Sequence, residues 1–163
     1  MIGSIMNEEA KRSILRNIPY GLYVIGLRHG ELHHAFTGSW LSQCSMKPPR
    51  VMLGVRKDSH SLGMMKETGV FSVNFIGKSD RKILEQFFKA TPSSGNRFGE
   101  LKFSLKQTNT PVLDQAIAYL ECEVKSIVDA GDHAIVLGEV VAAEVVKEEP
   151  PLVMGDTPWH YGG

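Results

Sequence analysis

Apolar and polar residues alternate with a period of two over most of this chain, and three short stretches break into a helical period. The first is Asn7–Pro19, where Asn7 is placed to cap a helix, Glu8 and Glu9 suit the positive end of its dipole, and Pro19 stops it. "YGLYVIGL" and "ELHHAFT" then flank "RHG" as the two strands of a β-hairpin. The segment "AFTGSWLSQCSMKPPRVMLGV", residues 35–55, is rich in hydroxyls, broken by a double proline, and ends in "RVMLGV", which reads as a strand buried on both faces. "SHSLGMMKETG" predicts a short helix with a hydroxyl start and Gly69 as its stop, and "VFSVNFI" predicts a strand. "SDRKILEQFFKA" predicts a third helix, capped by Ser79 or Asp80, with Ile83, Leu84, Phe87 and Phe88 on its apolar stripe. "TPSSGNRFGE" reads as loop. "AIAYLECEVKSIV" and "HAIVLGEVVAAEVV" form a second, longer hairpin around "DAGD", and "PLVM" is a candidate last strand.

Six or seven strands, mostly joined as hairpins, with three helices indicate a mainly antiparallel β-barrel with helical insertions. A doubly wound parallel sheet is disfavoured because the strand–helix–strand rhythm fails at both ends. No composition shift marks a linker, so residues 1–163 are expected to form one domain.

Charge narrows the class further. Eighteen basic and eighteen acidic side chains balance, and no Lys/Arg block stands out, which argues against nucleic acid or a membrane surface as partner. Two cysteines, Cys44 and Cys122, are too few for a disulfide scaffold and favour a reducing, cytoplasmic setting. Met1–Ser13 has no basic segment followed by an apolar one, and no apolar run reaches the roughly 18 residues of a transmembrane helix.

Common cofactor motifs are missing: there is no Gly-x-Gly-x-x-Gly after a strand, no phosphate loop and no Cys-x-x-Cys. Four features remain. The hydroxyls of residues 37–45 either surround an anion on a bent strand or lie on a solvated face, and composition alone favours the face. In "VRKDSHS", Arg56 and Lys57 precede a helix N-terminus, where anions bind readily, yet taken alone the stretch favours Asp58 or Ser59 as a plain cap with the basic pair solvated. His133 opens a strand just past a turn, where it either orients a substrate or bonds to its own turn. Trp159 and Tyr161 in "DTPWHYGG" either pack a barrel edge or cover a flat ring. His33, His34, Cys44, His133 and His160 lack the spacing of a structural metal site.

The order of these pieces is more specific than any one of them. The series "NIPYGLYVIG", "FTGSWLSQCSMKPPRVMLGV", "KDSHS", "TGVFSVNFI", "FFK", "TPVLDQAIAYLECEVKSIVDAGDHAIVLGEV" and "PPLV" resembles the flavin reductase-like, FMN-binding split-barrel family. It looks closest to the branch that accompanies rubredoxins and flavodiiron proteins, flavoredoxin-type members included. The resemblance implies a six-stranded antiparallel split barrel with a few peripheral helices, working as a homodimer with FMN at or near the subunit interface. It assigns Thr37, Gly38, Ser39, Trp40, Ser42 and Gln43 to the flavin and Arg56, Lys57, Ser59 and Ser61 to its phosphate, with Asn74 of the "VFSVN" motif as a further cofactor-binding candidate. His133 is expected near the nicotinamide or flavin edge as an orienting catalytic residue. The family often has Ala-Ser-Ser where this chain has Gly38-Ser39-Trp40, and another aromatic in place of His160.

Three functions follow from the resemblance. The first is an NAD(P)H-dependent flavin reductase, with NADH or NADPH passing hydride to FMN and an oxygenase or redox protein as acceptor. The second is an FMN electron carrier reduced by a rubredoxin- or flavodiiron-like protein partner. The third keeps the barrel without the flavin.

Overall fold

The protein was analysed as a computed structural model that describes residues 5–163. The reading of Met1–Ser13 as lacking a leader falls in part on residues 1–4, outside the described residues. Helix α1 runs Glu8–Arg16, and the Asn7 side chain accepts from the Ala10 amide at 3.0 Å as its cap. Strands β1 (Tyr23–His29) and β2 (Leu32–Gly38) form the first hairpin, turning at Gly30 with φ +58°. Strands β3 (Leu41–Ser45) and β4 (Arg50–Arg56) follow, then α2 (His60–Thr68) and β5 (Val70–Phe75). Ser59 caps α2, and Gly69 ends it in the left-handed region at φ 67°. Next come α3 (Lys82–Gln86), β6 (Thr91–Pro92), β7 (Arg97–Phe98), β8 (Leu101–Leu105) and β9 (Pro111–Leu113). The long hairpin of β10 (Ala118–Asp129) and β11 (His133–Val145) completes the order.

Every pairing between these strands is antiparallel. Eight strands form one sheet in the order β3-β4-β11-β10-β5-β1-β2-β6, and β7-β8-β9 form a second. The large sheet curls on itself: a Cβ added at Gly38 on β2 would meet Ile25 of β1 at 2.9 Å and Leu53 of β4 at 3.6 Å, although β2 and β4 lie far apart in the strand order. The mainly antiparallel barrel is therefore as expected, with short β6 and β7 inside the stretch read as loop and β8 and β9 in residues 101–113, where no element was expected.

Two apolar clusters hold the fold. Ile25, Leu27, Leu53, Val55, Met65, Phe71, Val73 and Val136 fill one, while Val24, Ile76, Leu84, Phe87, Phe98, Leu113 and Leu152 fill the other. The strands buried on both faces include β1 and β5 but not β4: on β1, Val24 enters one cluster and Ile25 the other. On β4 only Val51, Leu53 and Val55 are buried, because Met52 faces outward and Gly54 lies under the Trp40 ring. The third helix is shorter than expected. Neither Ser79 nor Asp80 caps it; they fall in a separate 3-10 turn, Lys78–Asp80, and Arg81 precedes α3. Leu84 and Phe87 are buried, Ile83 packs beside them, and Phe88 is over half exposed. "PLVM" contributes isolated bridges, Gly77 to Pro151 and Gly21 to Val153, rather than a strand.

Candidate functional site

Antiparallel order brings the end of β2, the end of β4 and the start of α2 to one end of the barrel. Thr37, Gly38, Ser39, Trp40, Arg56, Ser59 and Ser61 line a single cleft of about 240 Å³ there, joined by Phe88 and Tyr161. Seven residues from two stretches, 37–40 and 56–61, thus line one cleft. Tyr161 also borders two neighbouring chambers, one of about 800 Å³ beside His133 and Lys57, the other of about 490 Å³ beside Phe88 and Trp159.

The floor of the cleft is suited to an anion. Ser59 opens the nine-residue α2, whose first-turn amides and positive dipole end face this corner. Ser39 and Ser61 are buried, yet no side-chain hydrogen bond joins either hydroxyl to another described residue. Arg56 reaches the same corner in a two-point pair with Asp58, Nε to Oδ1 at 2.9 Å and Nη2 to Oδ2 at 2.7 Å. The Arg56 hydrogen bonds hold the Asp58 carboxyl below the usual carboxylate range. Any anion entering here competes with Asp58 for the guanidinium.

The opposite wall is aromatic. Trp40 lies across Gly54, where an added Cβ would meet its ring at 3.1 Å, and its centroid is 4.5 Å from His133 and 5.0 Å from Tyr161. Its buried Nε1 has no hydrogen-bond partner among the described residues, which costs about 1–3 kcal/mol if left unmet. His133 stands between Asp132 and Tyr161. The Asp132 carboxylate only accepts, so Nδ1 carries a proton toward it at 2.7 Å, and in the tautomer with Nε2 bare that nitrogen accepts from the Tyr161 hydroxyl, also at 2.7 Å. That hydrogen bond from His133 keeps Asp132 below the usual carboxylate range, and burial pushes the Tyr161 phenol up.

Other expected site residues lie elsewhere. Ser42 and Gln43 line a separate groove with Tyr23, Arg50 and Phe75. Gln43 donates to the Ser45 carbonyl at 3.1 Å, and Ser42 to the Gln43 carbonyl at 3.1 Å. Lys57 turns away from the cleft and pairs with Asp129 at 2.6 Å. Asn74 is fully buried, donating to Val24 and Pro111 carbonyls and accepting from the Leu113 amide, so it ties β5 to β1 and β9 with no atom left for a ligand. Gly38 is in the cleft, but its missing side chain makes room for Ile25, not for a ligand. The Thr37 hydroxyl donates to the Leu84 carbonyl at 2.8 Å, which moors α3 beside the cleft. The sequence reading did not single out Gly54 or Phe88 as cleft residues; only Phe88 carried a signal, its place on the apolar stripe beyond the helix end.

Over residues 15–161 the chain matches the family described as flavin reductase like domain. It is 34% identical over 145 residues to diflavin flavoprotein A 1 of Synechocystis sp., a match that covers 88% of this chain and 25% of that one. The chain thus spans about a quarter of the length of the curated relatives it matches. The flavin reductase component of a bacterial two-component tryptophan halogenase superposes with a TM-score of 0.79 at 24% identity, over 90% of this chain and 92% of that one. The NADH:FAD oxidoreductase of Streptomyces globisporus superposes with a TM-score of 0.79 at 22% identity, over 93% and 92%. At these identities the structural likeness is one of fold. Among the described residues no helix is long and apolar enough to cross a membrane, and no group of three or more His, Cys, Asp or Glu is placed to hold a metal.

Proposed function

Because the chain belongs to the flavin reductase-like domain family, a family of flavin oxidoreductases, we propose that it holds FMN in the cleft between β2, β4 and α2 and reduces it with NADH or NADPH. One observation carries this: an anion corner and an aromatic wall share a cleft with unspent hydrogen-bonding groups. The first turn of α2, Ser59, Ser61 and Arg56 suit a terminal phosphate. Ser39 and the orphaned Trp40 Nε1 suit the polar edge of a planar ring. Bound there, FMN would supply a ring nitrogen that accepts hydride and a store for two electrons. The chain's own part is positional. Trp40 and Phe88 bound the space for rings, and the Asp132–His133 pair fixes the imidazole tautomer at the cleft's edge.

FMN is preferred to a larger dinucleotide because the anion corner is formed by one helix start, which suits a single terminal phosphate. Expected acceptors are an oxygenase or a rubredoxin- or flavodiiron-like redox protein, in the cytoplasm where reduced nicotinamides are found. A homodimer is supported by the apolar groove of Tyr23, Leu41, Phe75, Leu120 and Val140, and by α1, which has no buried residue. A monomer in sedimentation equilibrium at micromolar concentration removes that pairing.

A second reading, an FMN electron carrier reduced by a protein, is favoured by the match to one quarter of a protein named for two flavins. The visible spectrum of the purified protein, recorded before and after anaerobic NADH or NADPH, separates the two. Bleaching of a flavin spectrum is expected. A flavin spectrum that persists leaves the carrier, and a colourless protein that takes up no added FMN ends both.

A further inference from the structure

Residues 160–163 lie across the cleft, held by few contacts. Trp159 is the firm point: it packs edge-on against Phe88 at 4.8 Å, sits beside the second apolar cluster, and has Arg81 at 5.7 Å from its ring. Beyond it, no backbone–backbone hydrogen bond ties residues 160–163 to the barrel. Two side chains hold them instead. The Tyr161 hydroxyl donates to His133 at 2.7 Å, and Arg16 of α1 donates to the Gly162 carbonyl at 3.1 Å. Gly162, at φ +87°, lies so close to Trp40 that a Cβ there would meet the indole at 2.9 Å. A segment without secondary structure, held by two side-chain bonds, lies at the low end of local stability.

Its position matters as much as its looseness. The Tyr161 ring separates spaces of about 240, 800 and 490 Å³, each of which it lines. The smallest falls below the roughly 300–1,000 Å³ of pockets for drug-sized ligands. Two stacked rings therefore need these spaces joined, and Tyr161 is the partition between them. We propose that His160–Gly163 form a strap, hinged at Trp159 and latched by Tyr161 to His133 and by Arg16 to Gly162, whose closed position fills the place where a second planar ring enters beside Trp40. The strap thereby controls the hydride donor's access, a role that rests on the reductase reading above. Tyr161 is a positioning residue: when latched it holds His133, and when released it frees both the space and the imidazole Nε2.

The test has a part that needs no nicotinamide. Trp40 and Trp159 are the only tryptophans, so Trp159→Phe leaves Trp40 as sole reporter beneath the strap. Acrylamide quenching of Trp40 is expected to rise in Trp159→Phe/Tyr161→Phe, and again in Trp159→Phe/Arg16→Ala, by roughly two- to tenfold, as loss of one net hydrogen bond allows. Quenching unchanged in both variants overturns the strap. The exposed Arg16 also keeps the test open should the Tyr161 variant fail to fold. On FMN-loaded protein, Arg16→Ala is expected to lower the NADH concentration for half-maximal flavin reduction several-fold, with the limiting rate unchanged. A lowered limiting rate with an unaltered concentration dependence overturns the access role. Wild-type flavin that neither NADH nor NADPH bleaches overturns the reductase reading instead, and the strap's donor-access role with it, whereas the quenching result still decides whether the strap opens.

Discussion

Arg56 sits where two demands on one guanidinium meet. It is exposed and fully engaged with Asp58, yet it borders the corner where α2 begins. Phosphate in that corner gains Arg56 only by sharing it, so the two neighbouring residues carry opposite expectations. Arg56→Ala should weaken FMN retention by about 1.5–3 kcal/mol, the worth of a hydrogen bond to a charged group. Asp58→Asn should tighten it, because a competing anion leaves the helix start while the length of the side chain is kept. Equilibrium dialysis of FMN against both variants reads the two signs, and equal affinities would assign Arg56 to the surface alone. Lys57, one residue past the end of β4, has a different fate: it pairs with Asp129 at the end of β10. Tandem basic residues in a sequence do not reveal which of them borders the anion corner.

At the level of elements, β2 and β4 owe their approach to what they lack. Gly38 leaves the space that Ile25 and Leu53 occupy, and Gly54 leaves the space that Trp40 covers. Gly38→Val should therefore act on the barrel first. Overpacking of this kind costs about 1–3 kcal/mol, read as a lower urea midpoint in flavin-free protein. An unchanged midpoint with lost FMN binding would return Gly38 to the ligand side. The glycine was visible in the sequence, but not the direction of its absent side chain. Capping was visible throughout α1 and α2, because Asn7, Ser59 and Gly69 act within a few residues of themselves. It misled at α3, where the chain first makes a 3-10 turn and Phe87, drawn into the core beside Phe98, ends the helix after five residues.

For the molecule as a whole, the two apolar clusters back onto one sheet, and Cys122 lies fully buried in the first of them. Burial pushes its thiol from 9.0 up to about 12. Below pH 9 the thiol is neutral in folded and unfolded chains alike. Above it the unfolded chain loses a proton that the folded one keeps, so stability must fall with rising pH until about 12. The urea midpoint should decline from pH 9 upward, and Cys122→Ala should start lower but decline less steeply. Equal slopes would mean another group governs the alkaline limb. Exposed Cys44 should be alkylated in native protein at pH 8 under conditions that spare Cys122.

Local patterning determined much of this protein. Period-two alternation, hairpin turns and helix caps depend on neighbours a few residues apart, and the order of "TGSW", "KDSHS" and "GDH" carried the family. Convergence belonged to the tertiary structure alone. Thr37, Ser39, Arg56 and Ser61 meet because an antiparallel sheet returns its strands to one end, whereas Asn74 is consumed by backbone groups of β1 and β9 that no sequence neighbour reveals. Trp40 shows the division most clearly. Its place in the hydroxyl-rich segment ahead of the double proline was legible, but its packing between Gly54, His133 and Tyr161 depends on residues far along the chain, which only folding brings together.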